Sequence, residues 1–100
     1  MDKDKAFNEV KELLTKNGIE FTVSEDGDTI TVEAGRILQW FQFTEISIAV
    51  ISSVIVDHKD IETSRIDTEY EDIEDFCLIK GDLWIREKGF GYTIITLKDN

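Results

Sequence analysis

The stretch Ile19-Glu-Phe-Thr-Val-Ser-Glu-Asp-Gly-Asp-Thr-Ile-Thr-Val-Glu33 decides the fold class. Ile19, Phe21 and Val23 alternate with Glu20, Thr22 and Ser24. After Glu25-Asp26-Gly27-Asp28 the same period resumes, with Ile30 and Val32 set between Thr29, Thr31 and Glu33. Period two on both sides of an Asp-Gly turn predicts a β-hairpin. Each arm carries one apolar face, so the sheet needs a cover on one side, and the cover lies just upstream. From Lys5 to Asn17, the apolar Ala6, Phe7, Val10, Leu13 and Leu14 fall on one helical stripe. Asp2 or Asp4 can cap the first free N–H groups, Glu12 and Lys16 are a favourable four-residue pair, and Asn17-Gly18 ends the helix.

Downstream, Ala34-Gly35-Arg36 breaks the alternation. Ile37 to Phe43 and Ile46 to Val56 are then apolar on both faces, and the β-branched density of the second favours strands. Strands of that kind are central to a sheet or present a face for association. Trp40, Phe41 and Phe43 are the candidate association surface, and Trp84, Phe90 and Tyr92 gather in the last hairpin. That hairpin runs from Phe76 to Lys80, through Gly81-Asp82, Leu83 to Arg86 and Glu87-Lys88-Gly89, and on to Leu97. The order predicts one α+β domain over residues 1–100. Its N-terminal helix packs on a mainly antiparallel sheet of about 5–7 strands.

Between Asp57 and Asp75 nine of nineteen residues are acidic, and only Lys59 and Arg65 oppose them. Ile66, Tyr70, Ile73 and Cys77 form a helical stripe there, which predicts a short acidic helix near residues 67–76. The competing reading is a strand from Arg65 to Tyr70, since Ile66, Thr68 and Tyr70 also alternate. Asp67, Glu69, Glu71, Asp72, Glu74 and Asp75 are the candidate partner-binding residues, read as an outward-facing anionic wall; the alternative is a solvated face that keeps a small protein soluble.

Composition narrows the function. The net charge is −11, and the basic residues are scattered, with Lys80, Arg86 and Lys88 interrupted by Asp82 and Glu87. Direct binding of nucleic acid or an anionic membrane needs a segregated basic patch, so neither is expected, and a basic protein is the expected partner. The opening MDKDKAF is no secretory signal, and the longest apolar run, Ile46 to Val56, is far short of a membrane span of about 20 residues. A single cysteine, Cys77, suits a reducing compartment, which points to the cytoplasm. Fourteen isoleucines against three alanines fit AT-rich coding, as in a low-GC bacterium or its phage.

Catalytic signals are sparse. His58 is the one conventional base and stands in a charged loop, VDHKD, with no sequence partner for a triad. Cys77 reads as a small core residue. Gly89-Phe90-Gly91 lacks the third glycine of a phosphate-cradling loop and reads as a bulge or tight turn. Asp67 to Asp75 lacks the midway glycine of a calcium-binding loop, and Ser24 to Asp28 is too short for one. No enzyme activity, cofactor or metal ligand is therefore assigned.

In size, acidity and lack of a catalytic constellation the chain resembles small inhibitor proteins such as immunity proteins, antitoxins and phage-encoded blockers of host enzymes. The resemblance is one of composition and implies no particular site residues. The expected function is an inhibitor or regulator of a basic nucleic-acid-handling protein, with its carboxylates standing in for phosphates. The alternatives are a homo-oligomer formed through the Trp40, Phe41 and Phe43 face, and a module binding Ca²⁺, Mg²⁺ or a small ligand.

Overall fold

In the computed structural model, which describes residues 1–89 and 91–98, helix α1 spans Lys3–Lys16. Asp2 caps it by accepting the Lys5 N–H at 2.8 Å, and Asn17 closes the other end before Gly18 turns the chain at φ 69°. Five strands follow as an antiparallel meander: β1 (Thr22–Val23), β2 (Thr29–Ala34), β3 (Ile37–Phe43), β4 (Ser47–Val56) and β5 (Lys59–Glu69). A 3₁₀ turn at Tyr70–Asp72 leads into a second antiparallel sheet of β6 (Ile73–Ile79), β7 (Asp82–Glu87) and β8 (Gly91–Thr96).

One core joins the three parts. Ile30, Phe41 and Val50 stand in one row across β2, β3 and β4, and Phe43 stands beside Ile48 in the next. These side chains pack with Ala6, Val10 and Leu14 of α1 and with Ile73, Phe76, Leu83, Ile85 and Ile95 of the second sheet. Phe7 meets Phe43 edge-on at 5.2 Å. The Gln39 side-chain amide donates to the Thr96 carbonyl at 2.8 Å, which ties β3 to the end of β8. The opposite face of β3 and β4 also buries Leu38, Ala49, Ile51 and Ser53. Two-sided apolarity in these strands therefore marks central strands.

The hairpin turns follow from residue type. Asp26 accepts the Ser24 hydroxyl and the Asp28 N–H, bonds that hold its carboxyl below the usual range. The β4–β5 turn places Asp57 and His58 both at positive φ, 52° and 65°, the geometry a two-residue hairpin demands. His58 is thus a turn residue.

Several expectations are corrected. No helix forms over residues 67–76; β5 continues through Glu69, the 3₁₀ turn takes three residues, and β6 begins at Ile73. A helix would stack Asp67 on Glu71 and Glu71 on Asp75 at four-residue spacing, where like charges repel. The extended chain instead lets Ile66 and Thr68 pair with Val50 and Ile48. The expected α+β fold, an N-terminal helix packed on antiparallel sheet, is what forms, with its strands divided into two sheets of five and three. In the first hairpin only Thr22 and Val23 pair, because Ile19 and Phe21 pack against the core. The β6–β7 turn falls on Lys80-Gly81, at φ 52° and 83°, and Asp82 already belongs to β7. Phe90 lies outside the described residues.

Phe41→Ala is expected to cost about 3–5 kcal/mol in urea unfolding, because the ring is fully buried. Val23→Ala, on the exposed short strand, is expected to stay within about 0.5 kcal/mol. Equal costs for the two would contradict the core described here.

Candidate interaction surface

The six candidate carboxylates do not form one wall. Asp67 lies on β5 beside Arg65, whose Nε stands 3.2 Å from its carboxylate. Glu74 and Asp75, at the start of β6, both reach Arg86 of β7; the Arg86 Nε to Glu74 distance is 3.4 Å, and Asp75 accepts from the Arg86 Nη2. Half of the predicted set is therefore matched by arginine. This corrects the expectation of a continuous anionic face, and its cause is the strand register, which sets Asp75 opposite Arg86.

The other three residues come together. Glu69 ends β5, and Glu71 and Asp72 belong to the 3₁₀ turn; one carboxylate oxygen from each lies within 4.8 Å of the other two. All three side chains are exposed, and among the described residues no lysine or arginine forms an ion pair with them. The close Glu71 carboxyl, aided by Asp72, holds the Glu69 carboxyl above the ordinary glutamate range. Asp67, Thr68, Glu69, Asp72 and Glu87 line an open depression beside them, in which the Thr68 hydroxyl lies 3.0 Å from Glu87.

Tyr70 fixes this corner. Its side chain is only 3% exposed, its N–H donates to the Ile46 carbonyl at 3.0 Å, and its hydroxyl donates to the Thr44 carbonyl at 2.7 Å. Burial pushes its phenol up to about 12, so it remains a neutral donor. From the other side, the Lys88 N–H donates to the Asp72 carbonyl at 2.8 Å. The carboxylates on either side of Tyr70 consequently have nowhere to go but outward.

The aromatic association surface is also corrected. Phe41 and Phe43 are core residues, and Trp40 alone of the three stands half-buried on the opposite face. Cys77 is half-buried on the outer side of the second sheet beside Trp84, not in the core cluster. Trp84 meets the exposed Tyr92 edge-on at 5.1 Å. Among the described residues no helix is long and apolar enough to cross a membrane.

Sequence reasoning named Arg65 among the few opposing charges but missed its pairing with Asp67, the pairing of Arg86 with Glu74 and Asp75, and Glu87 as a neighbour of the cluster. The local Arg65-x-Asp67 spacing on a strand was the one available signal for the first; the Arg86 contacts depend on pairing between strands.

Because the folded Glu69 carboxyl holds its proton more tightly than the unfolded one, stability falls as pH rises through the carboxylate range. Glu71→Gln removes the largest cause. It is expected to raise the melting temperature at pH 7, and the gain should vanish below about pH 3, under the ordinary glutamate range. Identical melting temperatures at pH 7 would contradict the crowding. Compared with family models, curated proteins and solved structures, the chain matches none, so its reading rests on its own geometry.

Proposed function

We propose that this chain is a small acidic binding protein that docks on a basic, nucleic-acid-handling protein and inhibits or regulates it. The observation that carries the reading is the trio Glu69, Glu71 and Asp72, held within 4.8 Å of one another with no ion pair to a lysine or arginine among the described residues. Carboxylates crowded in this way offer several acceptors for charge-assisted hydrogen bonds from a partner's lysines and arginines. The net charge of the whole chain, −11, adds long-range attraction that speeds encounter with a cationic surface.

The same charge opposes direct contact with nucleic acid. Arg86, the centre of the basic group formed with Lys80 and Lys88, is already engaged by Glu74 and Asp75. The reading is of binding without catalysis. The single cysteine suits the cytoplasm as the place where it acts.

Affinity capture from a lysate of the cell that makes the chain tests this. A basic protein is expected to be retained at low salt and released at high salt, as screening of exposed charges requires. The variant Glu69→Gln/Glu71→Gln/Asp72→Asn is expected to capture it with an association rate lowered by about tenfold or more, and with a flatter salt dependence. Equal capture by the wild type and the triple variant would refute the assignment of these residues.

A further inference from the structure

We propose that β5 is a self-association edge, on which a second copy of this chain pairs antiparallel about a two-fold axis and joins the two five-stranded sheets into one. β5 is eleven residues long, is outermost in its sheet and pairs only with β4. An edge of that length presents a row of free backbone donors and acceptors to another strand.

The side chains on it match a copy of themselves. Ile61 and Ile66 are 50% and 38% exposed. Five residues apart on a regular strand, they would point to opposite faces. The irregularity where β5 passes Ser52 and Ser53 shifts the register by one, so Ile61 aligns with Val54 and Ile66 with Val50, both on the core-facing side. Glu62 and Arg65 share the other side, aligned with Ser53 and Ile51. An axis between Thr63 and Ser64 then sets Ile61 against the partner's Ile66 and Glu62 against the partner's Arg65, each contact occurring twice. The row Ile37, Val54, Ile61 of one copy runs on into the Ile66, Val50, Phe41, Ile30 row of the other. Apolar surface at Val56, now 45% exposed, lies next to the same seam.

One contact in this register is unfavourable, since Asp60 faces the partner's Asp67. Arg65 of the same chain already stands against Asp67 at 3.2 Å, which blunts the repulsion. This mismatch makes the pairing distinguishable from a non-specific one. The inference does not rest on the docking of a basic partner, although the seam ends at Glu69, which belongs to both surfaces.

Light scattering on the full chain, from low micromolar to about 1 mM, tests it. The mass is expected to rise from 11.5 kDa toward twice that value. Glu62→Arg and Arg65→Glu each place like charges across the seam twice and are expected to weaken the dimer by about tenfold. The double variant Glu62→Arg/Arg65→Glu restores both pairs and should recover wild-type association, while Asp60→Lys should tighten it by about tenfold. All these side chains are exposed, and circular dichroism verifies that the fold is kept. A wild type that stays monomeric throughout, or a dimer equally strong in all four variants, would overturn the proposal.

Discussion

Tyr70 has to be dry, and the rest of the molecule is arranged around that requirement. It stands where the chain leaves one sheet and enters the other, with its ring among the core residues and its hydroxyl on the Thr44 carbonyl. A phenol buried without an acceptor would lose about 1–3 kcal/mol, so the Thr44 bond is what makes a polar aromatic tolerable in that place. Its backbone N–H is used too, by the Ile46 carbonyl at the start of the β4–β5 pairing. The crossing is thereby fixed at both the side chain and the main chain, and the second sheet can close over the inner face of β2, β3 and β4 beside α1.

The electrostatics follow from the same point. With Tyr70 inward, Glu69, Glu71 and Asp72 are forced outward on a turn too tight to spread them. Strands treat their charges differently, since pairing across β6 and β7 brings Arg86 to Glu74 and Asp75, and Arg65 reaches Asp67 along β5. Of the six acids, the three at this corner are therefore left without an ion pair among the described residues, and the three beside it are matched by arginine. Under the proposed docking function, unpaired charge gathered in this way would attract a cationic surface.

Much of this architecture was legible in the sequence, and the failures have physical causes. The helix, the Asp-Gly hairpin and the last three strands are set by short-range pattern, so their residues announce them. Residues 66–77 satisfied two periods at once: Ile66, Tyr70, Ile73 and Cys77 fit a helix, and Ile66, Thr68 and Tyr70 fit a strand. The open β4 edge, which no local pattern reveals, decided for the strand. The candidate site was half legible. The composition located the carboxylates, but which of them are left unpaired depends largely on Arg86, brought in by register eleven residues from Asp75. The aromatic cluster misled for the same reason, because alternation sends Phe41 and Phe43 inward and Trp40 the other way.

A pH titration of the side-chain carboxyl resonances by nuclear magnetic resonance tests the convergence of the three acids at its source. The Glu69 midpoint should lie above that of an ordinary glutamate, about 4.3, and should move back toward it as added salt screens its neighbours. An ordinary midpoint at low salt, unmoved by added salt, would mean that Glu69, Glu71 and Asp72 do not meet at the Tyr70 corner.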